Sequence, residues 1–88
     1  MVATVLGMAG PGFGQTAYLW MEPAGGFYGT TANWDPIGVP SAADYAEFEI
    51  SGAYTVSFDG DYTASYMDFG RGRVAFDLRG YTYDLTNV

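Results

Sequence analysis

Through the second half of the chain, apolar side chains fall on every second position. From Tyr45, the residues Ala46, Phe48 and Ile50 alternate with Glu47 and Glu49, and after a Ser51–Gly52 turn Tyr54, Val56 and Phe58 alternate with Thr55 and Ser57. A period of two belongs to a strand with one buried and one wet face. Asp59–Gly60–Asp61 turns the chain again, and Ala64, Met67 and Phe69 supply the next inward set. The odd spacing between Ala64 and Met67 predicts a bend or bulge at Ser65–Tyr66. After Gly70–Gly72, Val74, Phe76 and Leu78 are expected to face inward, and Tyr81, Tyr83 and Leu85 finish the chain. No segment sustains a helical period, so the chain reads as all-β.

Two of these strands are copies of one another. Tyr54–Gly60 (YTVSFDG) recurs as Val74–Gly80 (VAFDLRG), with Tyr54, Val56, Phe58 and Gly60 aligned on Val74, Phe76, Leu78 and Gly80. A half-buried strand repeated at a fixed period is the signature of stacked coils, each needing a neighbour to cover its apolar face. Residues 45–88 therefore read as rungs of a short parallel β-helix. An uncapped end leaves strand edges open. The last strands, carrying Val74, Phe76, Leu78, Tyr83 and Leu85, are expected to pair with a further rung or a second copy. The alternative is a small antiparallel β-sandwich, in which the two copies belong to opposite walls.

Residues 15–44 form an N-terminal strand and a loop-rich cap. Tyr18–Leu19–Trp20 is a short apolar strand, Glu22–Gly29 is rich in turns, and Asn33–Trp34–Asp35–Pro36 is loop chemistry. Ser41–Asp44 reads as one helical turn or a plain turn. Residues 1–14 are apolar, small and uncharged, like the apolar part of a secretory signal peptide without its positive n-region. Glycines and Pro11 interrupt this run, making it too short to span a bilayer; membrane insertion is not expected.

Composition narrows the function. The chain has 88 residues, enough for one small domain, and its 49% apolar content is enough for a core. Ten carboxylates face three cations, Arg71, Arg73 and Arg79, giving a net charge of −7 that disfavours nucleic acid. Cysteine and histidine are both absent, which removes disulfides, thiolate sites and the commonest general base.

Taken in order, Tyr18–Leu19–Trp20, Gly25–Gly26, Ala32–Asn33–Trp34, Gly38–Val39–Pro40 with Asp44, Ala46–Glu47–Phe48, Tyr54–Thr55–Val56 and Asp77–Leu78–Arg79–Gly80–Tyr81–Thr82 resemble the N-terminal region of secreted bacterial autotransporter-associated β-repeat proteins, including the exosortase-sorted, planctomycete-type surface proteins. The resemblance covers about four fifths of the chain. It implies a right-handed parallel β-helix at the cell surface or outside the cell, with a structural or adhesive role and no catalytic residues. It also implies that the chain opens a longer passenger.

Candidate chemistry is sparse. Glu47 and Glu49 share a solvated strand face, whereas glycoside hydrolysis needs carboxyls on both sides of a sugar. Asp59 and Asp61, with Asp77 or Glu49 on a neighbouring rung, are the candidates for calcium, but they offer only part of the six to eight oxygens a hard cation takes. Gly70–Arg71–Gly72–Arg73 reads as a strand turn. Trp20 and Trp34 either cap the first rung or offer flat faces to a polysaccharide. The leading expectation is a non-enzymatic, structural or adhesive surface protein. The alternatives are a carbohydrate-binding module using Trp and Tyr, and a polysaccharide lyase or hydrolase fragment. A lyase would need more basic residues than three arginines.

Overall fold

The computed structural model describes residues 15–87; the export reading of residues 1–14 lies outside them. Nine strands and one 3-10 turn make up the described chain: β1 (Ala17–Trp20), β2 (Gly26–Phe27), the 3-10 turn Thr31–Asn33, β3 (Trp34–Asp35), β4 (Tyr45–Phe48), β5 (Ala53–Ser57), β6 (Tyr62–Ala64), β7 (Tyr66–Phe69), β8 (Arg73–Asp77) and β9 (Tyr83–Leu85). Among the described residues there is no α-helix, so the all-β expectation holds.

The strands form three sheets, ordered β3-β1-β4-β7, β2-β5-β8 and β6-β9. Every ladder is parallel except that of β1 with β3. Strands β4, β5 and β6 pair in the same order with β7, β8 and β9, setting Tyr45 beside Tyr66, Ala53 beside Arg73 and Tyr62 beside Tyr83. These offsets are 21, 20 and 21 residues. Tyr54 lies beside Val74 and Val56 beside Phe76, the pairs given by aligning the two sequence copies. The copies are therefore neighbours in one sheet, where the antiparallel sandwich would have placed them on opposite walls. Parallel partners cannot be joined by a two-residue hairpin, so each strand waits for the chain to come round again.

Alternation sets the interior. Ala46, Phe48, Tyr54, Val56, Phe58 and Ala64 are buried. The bend expected at Ser65–Tyr66 is a corner between two sheets. Ser65 is buried there, its N–H donating to the Asp44 carbonyl at 2.6 Å and its carbonyl accepting from Asn87 N–H at 2.9 Å. Ser41–Asp44 is a plain turn closed by Asp44 N–H to the Ser41 carbonyl at 2.9 Å. Three expected inward residues are not covered: Phe69, Leu78 and Tyr81 are exposed. They belong to the last pass of the chain, above which no described strand lies.

Two glycines of the last pass separate backbone need from steric need. Gly72 (φ +80°) and Gly80 (φ +88°) both occupy the left-handed region, which costs an L-residue about 1–2 kcal/mol. A Cβ on Gly80 would meet open space, but one on Gly72 would collide with the Ile50 carbonyl. Gly80→Ala is therefore expected to cost about 1 kcal/mol, and Gly72→Ala about 1–3 kcal/mol more, as overpacking against backbone does. Urea denaturation of the two variants side by side checks this order.

Candidate functional site

The interior is built from aromatic columns that cross the passes. Trp20, Phe48 and Phe69 follow one another in the first sheet, with centroids 6.2 Å apart for Trp20–Phe48 and 5.3 Å for the stacked Phe48–Phe69 pair. Tyr28 stacks on Phe58 at 4.9 Å, and Leu78 stands one residue past the Ser57–Asp77 pair, as Phe58 does. Phe76 touches Phe48, Phe58, Phe69 and Tyr83, tying the columns together. Such ring contacts add about 0.5–1.5 kcal/mol each beyond the area they bury.

The two ends of these columns differ. Trp20 and Phe48 are fully buried while Phe69 is 47% exposed, and Tyr28 and Phe58 are fully buried while Leu78 is 39% exposed. The first pass is covered because the chain reverses after it. β3 runs antiparallel along β1, setting Trp34 against Trp20 with ring centroids 5.1 Å apart. Trp34 Nε1 donates to the Tyr28 carbonyl at 2.7 Å, and Asn33 Nδ2 donates to the adjacent Phe27 carbonyl at 3.0 Å. Trp20 Nε1 donates to the Glu22 carbonyl at 2.8 Å. Each buried indole thus satisfies its only polar group on backbone.

This corrects one expectation about the tryptophans. Trp20 (0% exposed) and Trp34 (1%) offer no free face on which a sugar could stack. Their position fits the cap reading. Exposed aromatic surface lies instead at Phe27, Tyr66, Phe69 and Tyr81.

The expected pairing strands sit at the other end. β7, β8 and β9 are the last strands of their sheets. Val74, Phe76, Tyr83 and Leu85 are half-buried, and Leu78 lies just past β8 and is exposed.

The carboxylates serve turns. Asp59 accepts from the Tyr62 hydroxyl at 2.7 Å, and Asp61 accepts from Thr82 N–H at 2.8 Å, so the calcium candidates each hold a loop rather than converge. Among the described residues no group of three or more His, Cys, Asp or Glu is placed to hold a metal ion. Glu47 is half-buried and Glu49 exposed, the latter folded against Gly70. The Arg79 guanidinium lies over the Phe27 ring, 5.4 Å from its centroid.

Two residues matter more than their sequence setting suggested. Asp44 is buried, and its carboxylate accepts from Ser41 N–H (2.9 Å), Ser41 Oγ (2.8 Å) and Thr16 N–H (3.0 Å), joining the lead-ins to β1 and β4. The Ser41-x-x-Asp44 spacing was the visible signal, since such a pair organises a turn locally. Tyr28 touches Trp34, Phe58, Tyr62 and Tyr83 and shares a 2.9 Å hydroxyl–hydroxyl bond with Tyr83. Only its two-residue spacing from Gly26 marked it.

No family model, curated protein or solved structure matches the chain. Among the described residues, no helix is long and apolar enough to cross a membrane.

Asp44→Ala leaves three donors without their acceptor and is expected to lower unfolding stability by about 2–3 kcal/mol, read from the urea midpoint. Alkaline pH acts on the tyrosines. Burial pushes the Tyr62 and Tyr83 hydroxyls up to about 12 and raises Tyr28 well above its ordinary value, where the neighbouring Tyr83 adds to the effect. The folded state thus holds these protons more tightly than the unfolded state. Their contribution to stability is complete below about pH 10, the unfolded value, and is lost as pH rises toward 12. A spectrophotometric tyrosinate titration should show part of the eight tyrosines ionising only together with loss of the β-sheet dichroism. A single unperturbed titration of all eight would contradict the assignment.

Proposed function

We propose that this chain is a segment of a right-handed parallel β-helix that works outside the cell or at its surface, in a structural or adhesive role and without catalysis. The observation that carries this reading is that β4, β5 and β6 pair in parallel, and in the same order, with β7, β8 and β9 about one pass later. Parallel crossover connections are right-handed in nearly all known cases, which supports the hand. Several carboxylates that might have served chemistry are engaged in building the fold: Asp44 at the lead-in turns, Asp59 on Tyr62 and Asp61 on Thr82. The resemblance to secreted β-repeat proteins supplies the location, and the blunt aromatic end opposite an open one suits a module that supports further coils.

The stability of stacked coils is close to a sum of coil terms and interfaces between neighbours. Appending a second copy of residues 66–87 after the last strand should therefore raise the thermal midpoint and make Phe69 and Leu78 inaccessible. A roll closed on itself would gain nothing from the addition. The location is tested by labelling intact cells of the native host with a reagent that does not cross membranes. Labelling of the chain is expected, and a chain found only in the cytosol would refute the surface role.

A further inference from the structure

We propose that the open edge of β8 is a docking site for a second copy of this chain, joined antiparallel about a two-fold axis at Ala75. The strand reads Arg73-Val74-Ala75-Phe76-Asp77, with Arg73, Ala75 and Asp77 exposed and Val74 and Phe76 half-buried. Reversed onto itself about Ala75, it sets Arg73 opposite Asp77 of the second copy twice over, and Val74 opposite Phe76 twice over. Charge meets opposite charge on the wet face, and apolar meets apolar on the inner one.

The backbone agrees with that register. In a parallel ladder a residue turns its N–H and C=O toward the same side. Arg73 N–H donates to the Gly52 carbonyl at 2.8 Å, and the Asp77 carbonyl accepts from Phe58 N–H at 2.9 Å, so residues 73, 75 and 77 face β5. Val74 and Phe76 therefore present their backbone groups to the free edge. The axis at Ala75 makes Val74–Phe76 the hydrogen-bonded pairs. Ala75–Ala75 and Arg73–Asp77 become the non-bonded pairs, where side chains approach most closely. A small residue on the axis suits that approach. Sliding the register by two residues one way sets Arg73 against Arg79, and the other way sets it against Ala75.

Charge also selects the partner. Residues 15–65 carry Glu22, Asp35, Asp44, Glu47, Glu49, Asp59 and Asp61 and no cation, whereas residues 66–87 carry Arg71, Arg73 and Arg79 with Asp68, Asp77 and Asp84. The net charge of −7 lies wholly on the first part, and the open end is balanced. Two balanced ends meeting keep the acidic bodies apart, while stacking an end on the body of another copy would not. The inference rests on the free edge of β8 and its sequence and does not require the surface role.

Sedimentation equilibrium over a concentration series is expected to show a monomer–dimer equilibrium. Asp77→Arg and Arg73→Asp each replace two attractive pairs by two repulsive ones and should weaken dimerisation by on the order of tenfold, and the double exchange Arg73→Asp/Asp77→Arg should restore it. The chain contains no cysteine, so Ala75→Cys should oxidise to a covalent dimer. Ala53→Cys, exposed on the neighbouring strand β5, should not. Circular dichroism checks that each variant is folded, and where a charge reversal fails to fold, the two cysteine variants decide. A monomer at every concentration, a dimer indifferent to the single reversals, or a double exchange that restores nothing would overturn the proposal. The parallel ladders would stand in each case.

Discussion

A strand whose partner lies twenty residues away, running in the same direction, cannot be stabilised by its immediate neighbours in sequence. In this chain nearly every strand is of that kind. Its backbone is satisfied and its apolar face covered only when the chain has gone round once and laid the next strand in register. Tyr54 on Val74 and Val56 on Phe76 are the clearest instance. A slip of one residue there would turn both apolar pairs toward water. Loops, columns and ends all follow from keeping that register.

The first pass shows what keeping it demands at an end. Ala17 pairs with Tyr45 and Gly26 with Val56, offsets of 28 and 30 residues where later passes use 20 or 21. The longer first circuit holds the 3-10 turn and β3, which return the chain along β1 and bring Trp34 over the column that Trp20 begins. Asn33 and Trp34 bind two consecutive carbonyls, so the Asn-Trp pair is a clasp as much as a hydrophobic plug. The opposite end has no such device among the described residues, and there the aromatic columns meet water.

Much of this was legible in the residues. Alternation at Ala46–Ile50 and Tyr54–Phe58 located the interior, and the copied segments located their own pairing, because strand period and repeat period are both local properties of sequence. The corner at Ser65 announced itself by a broken alternation. What alternation could not tell was coverage: Phe69, Leu78 and Tyr81 obey the pattern, but burial depends on whether another strand lies above, which is a property of the whole stack. Tyr28 and Asp44 were hidden for a related reason. Each works through contacts reaching from about 25 to 55 residues along the chain, such as Asp44 to Thr16 and Tyr28 to Tyr83. The tryptophans were identified as important, and their burial decided between two uses that flat aromatic surface permits equally.

The antiparallel return of β3 carries a directional meaning. A strand of two residues followed by Pro36 is a poor template for adding another chain. Accretion at that end is blocked, and whatever meets the other end uses up the single competent face. The molecule therefore has the polarity of a rod with a stopper. Its assemblies are bounded in number, where a coil bare at both ends would polymerise into fibres.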